Sequence, residues 1–216
     1  MVRRLLELVF PLACPCCGDV SGAPCRRCVG EFVPAHILPE LVDVDHAAAA
    51  YAYAGGVRNV VLACKRSNEH ALARFMAAEI YARAPVSGRP DAVTWVPTTS
   101  ARIRNRGYDH AEEIARPLAR NLRVPCVALL TRRSAATSHV DGASDRPKFA
   151  VLRTCPPKVL LIDDVCTTGR SLEAAAEALK SGGASAIVAR TFAATPAPSF
   201  TNDSRNSARQ LPGGWV

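Results

Sequence analysis

The sequence predicts an α/β protein. A mostly parallel sheet with helices on both faces is expected across residues 46–193, preceded by a cysteine-rich segment in residues 1–45 and followed by a tail in residues 194–216. Three observations lead there. Short runs of branched apolar residues, Val159-Leu160-Leu161-Ile162 foremost, have the continuous apolar pattern of strands covered on both sides. Segments rich in helix formers stand between such runs, at residues 57–64, 71–83, 111–122 and 172–180. Hydroxyl-rich turns, Pro97-Thr98-Thr99-Ser100 and Thr167-Thr168-Gly169-Arg170-Ser171, follow two of the runs, and open parallel sheets bind ligands beyond the carboxyl ends of their strands.

At 216 residues and 49% apolar content, the chain suffices for one domain with a sizeable core plus an appendage. Its 27 basic against 19 acidic residues, net +8, suit a polyanion such as a diphosphate or a nucleic acid, and equally a basic surface with no specific partner. Nine cysteines, five of them between positions 14 and 28, are too unevenly placed for a disulfide framework, so a reducing, cytoplasmic setting is expected. No stretch approaches the length of apolar residues that a membrane span needs. The chain lacks Gly-x4-Gly-Lys-Ser/Thr, which excludes a Walker phosphate loop.

Taken in order, Arg3-Arg4 and residues 5–13 have the outline of a signal peptide, but Glu7 and Pro11 break the apolar core, and a short amphipathic helix is the expectation. Cys14-Pro15-Cys16-Cys17-Gly18 and Cys25-Arg26-Arg27-Cys28 then form two Cys-x2-Cys knuckles. Their spacing suits one tetrahedral metal, Zn2+ on Cys14, Cys17, Cys25 and Cys28 with Cys16 spare; an iron-sulfur cluster or a redox dithiol is the alternative. Four protein ligands leave no open position, so the site is structural. An entry strand through Ala50-Tyr51-Ala52-Tyr53 reaches a turn at Gly55-Gly56. Helices over 57–64 and 71–83 flank the break Lys65-Arg66-Ser67-Asn68, whose cations sit in solvent or face a diphosphate.

The strand at 91–96 ends at Pro97, Thr98 and Thr99, whose hydroxyls suit a phosphate. Arg102, Arg104 and Arg106 follow, either as a solvated basic turn or as a cationic patch able to bind phosphate oxygens bidentately. Beyond the helix at 111–122, residues 129–149 are long, polar and aperiodic: a lid carrying Arg132, Arg133, Arg146 and Lys148, or a disordered linker.

The strongest functional signal runs from Lys158 to Ser171. A buried strand ends in Asp163 and Asp164, then Val165, Cys166, Thr167, Thr168, Gly169, Arg170 and Ser171 lead into a helix. Backbone N-H groups, hydroxyls and the positive end of the helix dipole can together cradle one phosphate. Ionised carboxylates only accept hydrogen bonds, so beside a phosphate their partners are sugar hydroxyls or a metal ion. The unit reads as a ribose 5-phosphate clamp, with a plain acidic strand-turn-helix as the alternative. Residues 186–192 form a last strand, and the Pro-, Ser-, Asn- and Gly-rich residues 196–216 a disordered tail.

This stretch resembles the phosphoribosyl pyrophosphate (PRPP) motif of type I phosphoribosyltransferases. Two Cys-x2-Cys pairs, a lysine-bearing helix break, Val96-Pro97 followed by Arg104-Asn105-Arg106-Gly107-Tyr108, and Asp163-Asp164-x-x-Thr167-Thr168-Gly169 also occur in the order seen in the competence protein F (ComF) family of phosphoribosyltransferase-like proteins. The resemblance implies a type I phosphoribosyltransferase fold and Mg2+-PRPP as donor to an unidentified base, the Mg2+ being held mainly by substrate oxygens and waters. It implies Asp163 and Asp164 on the ribose hydroxyls and residues 166–171 around the 5-phosphate, with Val165 also in the PRPP-binding set. Lys65, Pro97, Thr98 and Thr99 complete the PRPP-binding set, and Arg104 and Arg106 join the two acids as catalytic residues.

Arg170 stands where that family has a small residue, and Asp109-His110-Ala111 where it has Asn-Gln-Ala. The alternative function is a non-catalytic PRPP- or nucleotide-binding sensor or adaptor in DNA uptake, with single-stranded DNA or competence-machinery proteins as partners. A homodimer is compatible with either.

Overall fold

The computed structural model describes residues 13–20, 24–35, 38–66, 70–133 and 147–195. The expected N-terminal helix, most of the expected lid and the tail at 196–216 lie outside the described residues. The described chain runs α1 (Arg26–Gly30), β1 (His46–Ala52), α2 (Gly55–Arg66), α3 (His70–Arg83), β2 (Ala92–Trp95), α4 (Ser100–Arg106), α5 (His110–Leu122), β3 (Leu130–Arg132), β4 (Phe149–Val151), β5 (Lys158–Cys166), α6 (Arg170–Ser181) and β6 (Ala186–Ala194).

Four strands form one sheet in the order β1-β6-β5-β2, every pair parallel. The apolar run of β5 explains its central place. Val159, Leu160, Leu161 and Ile162 are wholly buried, and the pleat sorts them onto two faces. Leu160 and Ile162 join a core with Val57, Val60, Met76, Ile114 and Leu118, from α2, α3 and α5. Val159 and Leu161 join the other, with Leu172, Ala175 and Leu179 of α6. Each such leucine contributes roughly 1.5–3 kcal/mol by leaving water. Helices therefore cover both faces, as the sequence predicts.

Neither sheet edge is bare. Residues 33–35 run antiparallel along β1, with Ala52 N-H donating to Val33 O at 2.8 Å and Ala35 N-H to Ala50 O at 3.2 Å, and Leu38 N-H donates to Ala47 O at 3.2 Å. At the far edge Val93 of β2 bridges to Cys126. Both coverings block edge-to-edge pairing.

Three elements differ from expectation. Helix α2 continues through Lys65 and Arg66, so the lysine belongs to its last turn and not to a break. The arginine-rich segment is the helix α4: Thr99 caps its start, accepting from Arg102 N-H at 3.3 Å, and Gly107 at φ 82° ends it. The ends of the aperiodic stretch pair as the antiparallel ribbon β3-β4.

One buried charge holds the fold without a carboxylate. Arg190 of β6 is 2% exposed. Its guanidinium donates to Ala84 O at 2.8 Å, Pro85 O at 2.7 Å and Ala189 O at 2.8 Å, with His46 Nδ1 3.0 Å from Nη1. The first two carbonyls follow the end of α3, the negative end of its dipole. Burial lowers the pKa of Arg190 to about 10, and burial and Arg190 together lower that of His46.

Candidate functional site

β2 and β5 are neighbours, yet the chain leaves β2 toward α5 on one face and β5 toward α6 on the other. Divergence of this kind opens a crevice at the carboxyl ends of strands. A polar cleft of about 260 Å3 lies there, lined by the end of α2, the loop after β2, the starts of α4 and α5, β3 and the end of β5.

The acidic pair lies at its floor, within β5: Asp163 is in register with Thr191 of β6. Alternation sends the two carboxylates to opposite faces. Asp164 is 5% exposed, and its Oδ1 accepts Val165 N-H at 2.8 Å. Its Oδ2 lies 2.6 Å from Lys65 Nζ and 3.2 Å from His110 Nε2. That oxygen is buried between the two nitrogens. Burial pushes the Asp164 carboxyl up, but His110 and Lys65 outweigh it and hold it well below the usual carboxylate range. Asp163 differs: its Oδ1 accepts Asp164 N-H at 2.8 Å, while burial and then the neighbouring charge of Asp164 push its carboxyl well up. Lys65 opposes that rise, and Arg132 also feels the Asp163 charge, its own pKa being lowered by burial and then by Arg102 against the pull of Asp163.

Residues after α4 fix this geometry. Tyr108 OH donates to Cys64 O at 2.9 Å and so pins the turn of α2 that carries Lys65. Asp109, 5% exposed, uses both oxygens internally: Oδ2 accepts Thr98 N-H at 2.8 Å, and Oδ1 caps α5 through Ala111 N-H at 3.1 Å. The loop after β2 is thereby tied to the start of α5, where His110 is the first helical residue. His110 Nδ1 is buried without a hydrogen-bond partner among the described residues.

The phosphate turn leads from Cys166 to Gly169, which caps α6 at φ 78°. A Cβ there would sit 2.4 Å from Leu41 Cδ2, so position 169 needs glycine for both conformation and space. Leu41 belongs to the hood-like segment before β1, where Val42 N-H donates to Glu173 Oε1 of α6 at 3.1 Å. Cys166 is buried, its thiol pushed up to about 11 by burial and then by Asp163.

Lys65, Pro97, Thr98, Asp163, Asp164, Val165 and Ser171 line the cleft. Thr99 caps α4 instead, and Thr167, Thr168 and Arg170 are exposed on the turn. Arg104 is exposed and outside the lining, and the side chain of Arg106 lies outside the described residues. Helical geometry is the reason: at about 100° per residue, positions 102 and 104 point roughly 200° apart, and Arg102 is the one that meets the cleft. Arg102 from the expected cationic patch and Arg132 from the expected lid also line it, as does His110, which had no assigned site role. For His110 the available signal was position, just past the Asp109 cap of the helix that follows β2.

A second constellation stands at the N-terminal side. The Sγ atoms of Cys14, Cys17, Cys25 and Cys28 all lie within 4.8 Å of one another, Cys17 and Cys25 being 3.7 Å apart. Tetrahedral Zn-S bonds of about 2.3 Å require sulfur separations near 3.8 Å, so the four thiols can hold a single ion. Cys25 N-H already points at Cys14 Sγ, 3.4 Å away. Cys16 turns aside to donate to Gly56 O at 3.4 Å, and a Cβ on Gly56 would meet Phe32 at 2.7 Å, so the knuckle packs on the start of α2. No helix among the described residues is long and apolar enough to cross a membrane.

No curated protein matches the chain. The phosphoribosyl transferase domain family matches residues 106–207, just under half of it. Among solved structures, a purine phosphoribosyltransferase from Pyrococcus horikoshii Ot3 is 20% identical, with 61% of this chain and 76% of that one covered and a TM-score of 0.34. The domain match spans the acidic turn, and the four-stranded parallel sheet agrees with a type I phosphoribosyltransferase fold.

Proposed function

We propose that the protein binds Mg2+-PRPP in the cleft and transfers the phosphoribosyl group to a base whose identity is open. One observation carries the reading. An acidic pair and Ser171, in the first turn of α6, share a space of about 260 Å3 with Lys65, Arg102 and Arg132, a charge pattern that suits a ribose between a 5-phosphate and a diphosphate. The resemblance to the ComF family supports it.

Departure of diphosphate leaves positive charge on the ribose C1, so the reaction needs cations on the leaving group and exclusion of water more than a strong base. Arg102 and Arg132, both in the cleft lining, suit the first task. Mg2+, bound through diphosphate oxygens and waters, supplies further charge neutralisation when present. The four thiols of Cys14, Cys17, Cys25 and Cys28 fit a structural Zn2+ that organises the appendage in residues 1–45, apart from the catalytic domain at 46–193. All nine cysteines are thiols, which suits a reducing cytoplasm.

A second reading, a PRPP- or nucleotide-binding sensor or adaptor in DNA uptake, is favoured by one observation: Arg104, a candidate catalytic cation, stands outside the cleft lining. The deciding experiment is incubation with Mg2+-PRPP and a panel of purine, pyrimidine and pyridine bases. Diphosphate release with one class of base is expected. Thermal stabilisation by Mg2+-PRPP without release from any base would favour the sensor. No stabilisation at all, or a full shift in the Asp163→Ala/Asp164→Ala double variant, would overturn both readings of the clamp.

A further inference from the structure

Helix α4 brings Arg102 to the cleft lining and yet buries nothing of its own, for Ser100 to Asn105 are all exposed. No core face holds it. Its seven residues are also too few to persist on their own hydrogen bonds, since isolated helices are marginal in water below about 12–15 residues. Its position must come from its ends.

Both ends are tied. At the start, Val96 N-H donates to Ile162 O at 2.9 Å, which carries the sheet into the loop, and Thr99 Oγ1 accepts Arg102 N-H. At the finish, Gly107 stops the helix in the left-handed conformation and Tyr108 OH reaches Cys64 O. Asp109 then joins the two ends to each other. Its Oδ1 caps α5 through Ala111 N-H, while its Oδ2 accepts Thr98 N-H, 11 positions earlier in the chain, at 2.8 Å. A helix cap needs one oxygen, which serine, threonine or asparagine also supplies. The second oxygen closes the excursion that contains α4. This clasp is buried, with Asp109 5% and Thr98 8% exposed, so water competes little for the bond. Pro97 has no N-H, which makes Thr98 N-H the first backbone donor beyond the sheet. Turning it onto Asp109 sets how the loop meets the cleft.

Resting on the phosphoribosyl reading for the ligand, we propose that Asp109 is a positioning residue for the diphosphate side of the cleft, holding Thr98 directly and Arg102 through α4. Asp109 is outside the cleft lining, so it acts on a ligand only through those two residues. The other side is independent of the clasp: Ser171 lines the cleft from α6, which follows β5. An asymmetry results. A ligand carrying a diphosphate should feel the loss of the clasp, and one carrying only a 5-phosphate should not.

The test uses the full chain and Asp109→Ser, which keeps the cap on α5 and removes the clasp. Its melting temperature should fall by only about 2–4 °C. Amide hydrogen exchange across residues 99–107 should quicken by roughly tenfold or more, because opening of α4 no longer has to break the clasp. By calorimetry, Mg2+-diphosphate should bind roughly tenfold more weakly, while ribose 5-phosphate binds as it does to the wild type. Asp109→Asn, with one carbonyl for two donors, should lie between. The proposal is overturned if α4 exchanges at the wild-type rate in Asp109→Ser, if Mg2+-diphosphate affinity is intact, or if ribose 5-phosphate weakens as much as diphosphate does. Should Asp109→Ser fail to fold, the same three measurements on Asp109→Asn decide. A wild-type protein that binds neither ligand would sink the phosphoribosyl reading, and faster α4 exchange in Asp109→Ser would then leave the clasp standing without its ligand.

Discussion

The molecule contains two buried pairings of a cation with a histidine, and they are solved in opposite ways. Beside the cleft, Lys65 and His110 converge on the carboxylate of Asp164. Near the start of β1, Arg190 and His46 lie together with no carboxylate, and backbone carbonyls of Ala84, Pro85 and Ala189 take the guanidinium protons. The first arrangement is a set of side-chain groups at the floor of the cleft, where Lys65 and His110 also line the open space. The second is a charge solvated by fixed backbone dipoles, outside the cleft lining.

Breaking the dipole-solvated pair should have the largest effect. Arg190→Met strands three buried carbonyls, each worth about 1–3 kcal/mol when left unmet, so urea denaturation should show a loss of roughly 3–5 kcal/mol. Arg190→Lys should fall between, since an ammonium cannot reproduce the planar fork. A loss below about 1 kcal/mol would mean that the carbonyls find other donors.

Breaking the carboxylate-centred pair should matter less to folding and more to binding. Lys65→Met leaves Asp164 with His110 and removes an ammonium whose side chain is 28% exposed, so roughly 1–2 kcal/mol of stability is expected to go. The same variant should lose most of its Mg2+-PRPP stabilisation, because Lys65 also lines the cleft. Unchanged PRPP binding would assign Lys65 to the fold alone.

The smallest effect is a slope. The pKa of His46 is lowered in the fold by burial and by Arg190. In the window just below its ordinary value the unfolded chain binds a proton that the native ring refuses, so stability rises with pH there. The contribution is complete above that ordinary value and is lost as pH falls through the lowered one. His46→Gln should flatten this part of the stability-pH curve. An identical slope in the variant would place the proton uptake elsewhere.

How much was legible follows from how far apart the informative residues lie. The run at residues 159–162 showed β5 and its two-faced burial directly, because four apolar neighbours leave a strand no exposed side. The knuckles were legible for the same local reason, and the four thiols named from spacing are the four that converge. Helix α4 was hidden by its arginines, which drew a reading as a basic loop, although Thr99 and Gly107 are ordinary start and stop signals. The β3-β4 ribbon was invisible because its pairing joins Leu130 to Val151 across a long gap and leaves no periodicity. Lys65 was singled out, but as a partner for a diphosphate; its contact with Asp164 arises only when α2 docks on the sheet. His110 needed the fold for the same reason.

Helix α2 has one further consequence. Its first residues bear the cysteine knuckle, through Cys16 and Phe32 against Gly56, and its last turn bears Lys65. Twelve residues make a rod of about 18 Å. The helix therefore spans the distance between the cysteine knuckle at its start and the floor of the cleft at its last turn, where Lys65 Nζ lies 2.6 Å from Asp164 Oδ2.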